Sequence, residues 1–246
     1  MPLRVIDTFS GIGGFTLAGE ILGGFETVCF VEREPFCQKI LRKHWPHIPI
    51  HNDIRTFEPE MGSADVICGG FPCQDISLAG KQAGIHHGTR SGLFYELMRV
   101  VRLVRPRFLV LENVSAILFN GLDVVLGELA EAGFDAEWAC VPASAVGACH
   151  QRDRWWLVAN TNNKRSQGLR EELGLQQSSR QISITWGHQP RMPESDWRRF
   201  VSQPVLRRGD DGLSGRVDRL KSLGNAVVPQ VAQIPLARVL ELSNAD

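Results

Sequence analysis

A chain of 246 residues with 43% hydrophobic and 22% charged side chains has the makeup of an ordinary globular protein, which excludes a disordered chain, a collagen and a coiled coil. Its length suits one large domain with a small second lobe better than two independent domains. The net charge of zero conceals an asymmetry, because residues 1–159 carry 14 Lys and Arg against 18 Asp and Glu while 160–221 carry 12 against 7, a contrast that fits either a polyanion-binding lobe or a set of solvated loops.

Up to residue 160 the pattern is one of short β-rich apolar runs alternating with helical spacing. Leu3 to Phe9 reads as a buried strand, followed by glycines and a helix with an apolar face through Phe15, Leu17 and Leu22. Thr27 to Val31 is the next strand, with a helix near Pro35 to Lys43, and Asp65 to Cys68 is a third strand ending in Gly69 and Gly70. Leu93 to Arg105 has helical spacing and stops before Pro106, where a residue preceding proline is driven out of the α region. Phe108 to Leu111 is a fully buried strand, Leu122 to Ala132 a helix closed by Gly133, and Ala136 to Val141 and Trp155 to Ala159 the last two strands. This βαβ rhythm predicts an α/β fold, a mostly parallel sheet flanked by helices. Composition changes at Asn160: the stretch to Arg216 is rich in Asn, Gln, Ser and Arg, with Trp186 and Trp197 as its main anchors, and reads as a small irregular lobe. From Leu220 to Leu242 apolar periodicity returns, with Pro229 early in a helix where its missing N–H costs little. This tail is expected to pack back on residues 1–159, so that 1–159 and 217–246 form one domain around the 160–216 lobe.

No run approaches the ~18 apolar residues of a membrane helix, and the amino end enters a strand without a signal-peptide pattern; a cytoplasmic protein with no membrane partner is expected. Six cysteines with no C-x-x-C pair leave neither a disulfide framework nor a metal site in view.

Chemistry concentrates where strands end. Asp7-Thr-Phe-Ser-Gly-Ile-Gly-Gly-Phe15 sets three glycines at the first strand-to-helix turn, so backbone can approach a ligand, although packing alone also selects such turns. Glu32 ends the second strand, where a carboxylate can accept from both hydroxyls of an unphosphorylated ribose; the two features together favour an adenosine-type ligand. Gly69-Gly-Phe-Pro-Cys73-Gln puts a cysteine just beyond a strand, at the edge where open α/β sheets bind ligands. Asp75 to Gly92, with four glycines and Lys81, His86 and Arg90, suits a mobile lid or a bland loop. Glu112 follows a fully apolar strand, a costly place for a charge unless it is bound or protonated. Arg152 and Arg154 alternate before the apolar Trp155 to Ala159 and should point to one side of an extended segment, towards an anion.

The blocks Asp7-Thr-Phe-Ser-Gly-Ile-Gly-Gly, Gly69-Gly-Phe-Pro-Cys73-Gln, Glu112-Asn-Val, Gln151-Arg-Asp-Arg154 and Gly224-Asn-Ala-Val-Val-Pro-Gln230, in this order, resemble the cytosine-C5 DNA methyltransferases of restriction-modification systems and phages. The resemblance covers roughly 1 to 159 and 217 to 240. It implies a Rossmann-like S-adenosylmethionine-dependent methyltransferase sheet with 160–216 as target-recognition lobe, shorter than usual for the family. S-adenosyl-L-methionine would lie on Phe9, Ser10, Gly11 and Gly13, with Glu32 on the ribose, Arg33 beside it, Asp53 and Ile54 at the adenine, and Pro72, Leu93, Asn225 and Ala226 completing the pocket. Cys73 would be the nucleophile, Glu112 the residue holding N3 of the base, and Arg152 and Arg154 the partners of the reacting pyrimidine; no metal is implied. The implied partner is double-stranded DNA, with a cognate restriction endonuclease as a further candidate, and the assembly a monomer or homodimer. Two other readings stay open: a tRNA cytosine-C5 methyltransferase using the same cysteine, and a catalytically idle DNA-binding homologue. A nicotinamide dehydrogenase fails on the missing G-x-G-x-x-G.

If the 160–221 segment holds DNA phosphates, affinity for duplex DNA should fall steeply with salt, since four such contacts alone cost about a hundredfold between ~50 and ~200 mM. Titration at several salt concentrations checks this; a flat response would return these arginines to solvent.

Overall fold

A computed structural model describes residues 1–72, 92–148, 151–161, 222 and 224–244. Cys73, most of the 75–92 segment, His150 and the 162–216 stretch with Trp186 and Trp197 lie outside the described residues. In chain order the elements are β1 (Leu3–Thr8), α1 (Gly14–Leu22), β2 (Phe25–Val31), α2 (Pro35–His44), β3 (Ile50–His51), β4 (Val66–Gly70), α3 (Leu93–Val104), β5 (Phe108–Val114), α4 (Leu122–Glu131), β6 (Asp135–Pro142), β7 (Asp153–Asn160) and α5 (Pro229–Asn244). A short 3-10 turn, Ile54–Thr56, follows β3.

The seven strands form one sheet in the order β3-β2-β1-β4-β5-β7-β6. Pairing is parallel from β3 through β5, whereas β7 runs antiparallel to both of its neighbours. The expected α/β sheet flanked by helices is therefore present, with a mixed edge that the alternation of elements alone did not specify. Alternate residues on the central strands serve two cores, as the two-residue period of a strand requires. Ile6, Ile67, Leu109, Leu111, Trp155 and Leu157 face one side with Phe94, Leu97 and Met98 of α3. Val5, Val66, Val110, Trp156 and Val158 face the other with Phe15 of α1 and Val231, Leu236 and Val239 of α5. Trp155 and Trp156 are almost wholly buried on opposite faces, which explains why β7 reads as an unbroken apolar run.

In the tail, α5 lies against α1. Its helix begins at Pro229, where a missing N–H is harmless, and continues through a second proline, Pro235. That residue gives up one intrahelical hydrogen bond, a loss that burial of Val231, Ala232, Ile234 and Leu236 around it outweighs.

One polar side chain interrupts the α1 face of the core. Asp7, fully buried at the end of β1, accepts a hydrogen bond from the Thr16 hydroxyl at 2.8 Å. Thr16 in turn lies 3.0 Å from the Thr27 hydroxyl. Its other oxygen, Oδ1, has no hydrogen-bond partner among the described residues. Burial raises this carboxyl from 3.8 to about 7, against the opposing pull of Thr16, and the nearby Glu32 carboxylate adds to the rise. The same confinement, with Asp7 beside it, pushes the Cys68 thiol well up.

Two stability measurements test this packing. In urea, Leu97→Ala should destabilise by about 2–5 kcal/mol through a cavity under α3, while Leu103→Ala on the solvent side of the same helix should cost less than about 0.5 kcal/mol. For Asp7, the native state keeps a proton that the unfolded chain has already lost between 3.8 and about 7. Stability is then highest below the unfolded value and declines as pH rises, by up to about 1.4 kcal/mol per pH unit. Asp7→Asn, which keeps an uncharged acceptor for Thr16, should remove that decline, gaining about 2–3 kcal/mol on the wild type between about pH 5 and about pH 8. Parallel pH profiles for the two proteins would refute the buried-carboxyl account.

Candidate active site

The strand order reverses between β1 and β4: the chain moves outward from β1 to β2 and β3, then returns to β4 on β1's other side. Loops leaving the carboxyl ends of these two strands therefore diverge and leave a crevice, the position where open α/β sheets take ligands. Every candidate residue among those described comes from this edge or from the tail that crosses it.

The loop after β1 makes a tight turn in which Phe9, Gly11 and Gly13 all have positive φ, at 50°, 55° and 87°. A side chain at Gly13 would also collide with the Trp45 ring, its Cβ falling 2.4 Å from the nearest ring atom, so glycine there is demanded by both backbone and packing. Ser10 is buried, donates its hydroxyl to the Asp7 carbonyl at 2.5 Å and its N–H to the Val31 carbonyl at 3.3 Å, and so ties the turn to the ends of β1 and β2. Gly11 donates its N–H to Glu32 Oε2 at 2.7 Å, and the Glu34 N–H donates to Glu32 Oε1 at 2.7 Å. Glu32 is buried, which raises its pKa, and these backbone donors oppose the rise. Arg33 next to it is exposed.

At the end of β3, Asp53 caps the 3-10 turn, accepting from the Arg55 N–H at 3.1 Å and from its guanidinium at 2.5 Å. The Arg55 bond is the main reason that the Asp53 carboxyl falls to about 2. Ile54 is packed inside the α3 core, and Leu93 at the start of α3 is half-buried against the same core.

On the other side of the crevice, β4 ends at Gly70, and Phe71 and Pro72 follow it as the last described residues before Cys73. Gly70 pairs in register with Glu112, and a Cβ at Gly70 would fall 2.9 Å from Glu112 Oε2. This glycine makes room for the carboxylate. Glu112 receives the Arg154 guanidinium, Nε to Oε1 at 2.9 Å. Burial pushes the Glu112 pKa up, while the charges of Arg154 and then Arg152 push it down. Both arginines thus reach the same carboxylate's field, but not by simple strand alternation: Arg152 precedes β7 with φ at 42°, and only Arg154 belongs to the strand. Arg152 sends its two terminal nitrogens to the carbonyls of Gly224 and Ala226, at 2.8 and 2.7 Å. Asn225 is exposed and Ala226 half-buried.

One positioning residue was not singled out from the sequence. Asn113, buried beside Glu112, donates from Nδ2 to the Phe71 carbonyl at 3.2 Å and accepts from the Val114 N–H at 2.8 Å. It fixes the chain entering Cys73 relative to Glu112. The signal was present, since an amide directly after a strand-ending carboxylate must find partners once buried. Among the described residues no cluster of His, Cys, Asp and Glu could hold a metal, and no helix is long and apolar enough to cross a membrane.

Comparison with known proteins bears on this arrangement. The Type II methyltransferase M.CviJI of Paramecium bursaria Chlorella virus IL3A is 35% identical over 165 residues, 65% of this chain and 43% of that protein. The Type II methyltransferase M.AquIA of Picosynechococcus sp. is 31% identical over 206 residues, 75% of this chain and 82% of that one. The crystal structure of S. pombe Dnmt2 methyltransferase superposes with a TM-score of 0.55 at 20% identity, covering 66% of this chain and 50% of that one, a likeness of fold. M.AquIA apart, the chain spans half the length or less of the leading curated relatives. The family model for C-5 cytosine-specific DNA methylase matches residues 3–196, which include the glycine turn, Glu32, the Glu112 edge and both arginines, and on that match the chain belongs to the C-5 cytosine-specific DNA methylase family.

Proposed function

We propose that this chain is an S-adenosylmethionine-dependent DNA methyltransferase acting on C5 of cytosine in duplex DNA, with 160–216 as its target-recognition lobe. The observation that carries the proposal is the Glu112 carboxyl, largely shielded from solvent and in contact with Arg154, its pKa raised, next to Gly70 and to the Asn113-held backbone that leads into Cys73. An acid that can hold a proton at a strand end, beside the segment that brings in a thiol, suits chemistry on an electron-poor heterocycle.

The residues on the β1 side fit a nucleoside. The Phe9–Gly13 turn offers backbone at close range, and Glu32 is fixed by two backbone N–H groups on the cofactor side of the switch point. Those donors favour the ionised carboxylate, an acceptor suited to ribose hydroxyls. Asp53, Ile54, Pro72, Leu93, Asn225 and Ala226 are assigned to the rest of the pocket by family resemblance. S-adenosylmethionine, when bound, supplies an electrophilic methyl on a sulfonium sulfur, which leaves as a neutral thioether once a carbon nucleophile takes the methyl.

The protein's part is to make C5 of cytosine that nucleophile. Cys73 as thiolate adds to C6, forming a C–S bond and pushing the ring electrons towards N3, where the Glu112 proton is taken up. The ring becomes an enamine with electron density at C5. After methylation, a base removes the C5 proton, the electrons left behind expel the Cys73 thiolate, and N3 returns its proton to Glu112, restoring the aromatic ring. An unperturbed thiol with a pKa of ~8.5 is only a few per cent ionised near neutrality, so positive charge nearby assists. Arg154 holds Glu112 in place and supplies such charge. None of this is possible in a stacked base pair, so the cytosine must be extruded at a cost of about a few kcal/mol.

Duplex DNA with 5-fluorocytosine at the target should trap a denaturant-resistant protein–DNA adduct in the presence of cofactor, because fluorine cannot leave C5 as a proton does. Cys73→Ser should lose the adduct and at least about 1000-fold in turnover while cofactor binding changes less than about threefold. An adduct on tRNA and none on DNA would move the activity to RNA, and an unreactive wild type would support the idle homologue.

A further inference from the structure

The tail segment before α5 crosses the carboxyl edge of the sheet and is anchored at three points. Ser222 places its hydroxyl 3.5 Å from the Cys37 thiol on α2, the helix that follows Glu32. Gly224 and Ala226 present their carbonyls to the Arg152 guanidinium at 2.8 and 2.7 Å. Val227 lies on Gly14, so closely that a Cβ at Gly14 would meet the Val227 carbonyl oxygen at 2.7 Å. The first and third contacts belong to the β1–β2 side of the site, whereas Arg152 enters from the β7 side, next to Arg154 and Glu112.

Arg152 is well suited to this task. A guanidinium presents parallel N–H donors in a rigid fork, and two carbonyls spaced by one residue can accept from its two terminal nitrogens, which a lysine ammonium cannot reproduce with the same geometry. Its positive φ of 42° sets the residue off the line of β7 and towards the tail. Arg152 thus engages main-chain carbonyls through both terminal nitrogens, while Arg154 places Nε 2.9 Å from Glu112 Oε1.

We propose that Arg152 is a positioning residue rather than a contact of the reacting pyrimidine: it clasps the 224–227 strap over the glycine turn and thereby sets the cofactor side of the site from the base side. The proposal rests on the preceding functional reading for the identity of the cofactor, but the clasp itself does not. Because the strap carries Asn225 and Ala226, loosening it should be felt as lost cofactor affinity. A base contact would instead be felt in turnover with DNA.

The test uses the full chain with S-adenosylmethionine and target duplex DNA. Arg152→Lys should raise the cofactor Kd, measured without DNA, by about tenfold or more, with kcat at saturating cofactor reduced less than about threefold. Amide hydrogen exchange over 226–228 should speed up by a similar factor, about tenfold. Arg154→Lys should show the converse, a fall in kcat with cofactor Kd and strap exchange unchanged. Gly14→Ala, which displaces Val227 without touching Arg152, should reproduce the Arg152→Lys pattern and covers the case in which that variant fails to fold. Wild-type exchange and cofactor Kd in Arg152→Lys, or a loss confined to kcat, would overturn the clasp. Should the wild type not bind S-adenosylmethionine, the functional reading fails, while the exchange comparison still decides whether Arg152 holds the strap.

Discussion

Carboxyl groups at the ends of apolar strands are the constraint to which the rest of this site responds. Asp7 and Glu112 stand near the carboxyl ends of β1 and β5 and Glu32 directly follows β2, all at one edge of the sheet, in surroundings where an unpartnered negative charge is expensive. Each is accommodated differently. Glu32 is given two backbone N–H donors, which support the ionised form. Glu112 is given a guanidinium and stays half in the reach of a second one. Asp7 has uncharged partners, chiefly Thr16, and no neighbouring cation among the described residues that acts on it, and its pKa climbs to about 7. Three acidic residues on one edge thus meet three different environments, and burial raises the pKa of each.

The division of labour follows the topology. The reversal of strand order between β1 and β4 separates two walls of the crevice, one built on the glycine turn and Glu32, the other on Gly70, Glu112 and Arg154. A sheet edge alone would leave these two halves independent. Asn113 ties β5 to the Phe71 carbonyl within the second of these walls. The tail links the halves, because it touches α2, Arg152 and Gly14 within six residues of chain.

The antiparallel strand β7 serves the same end. Running against β5, it brings its first residues alongside the last residues of its neighbour, so that Arg154 stands opposite Val114, two positions past Glu112. A parallel strand here would have carried its amino end to the opposite edge, away from the carboxylate. The burial of Trp155 and Trp156 on either face holds the strand in that register, since a shift of one residue would exchange the two faces.

Much of this was legible in the sequence. Apolar runs, glycine breaks and the stop before Pro106 identified the main elements, because hydrophobic periodicity and backbone sterics act locally and leave their mark residue by residue. Glu112 and Glu32 stood out for the same local reason, a charge at the end of an apolar strand. What only the tertiary structure decided were the relations between distant segments: the antiparallel setting of β7, the two-residue strand β3, the burial of Asp7 between Thr16 and Cys68, the grip of Asn113 on Phe71 and the engagement of Arg152 with Gly224 and Ala226. These depend on which backbone carbonyl or side chain another part of the chain delivers, up to 74 residues away in the case of Arg152. A residue's type announces that it must be satisfied; only the folded chain determines by what.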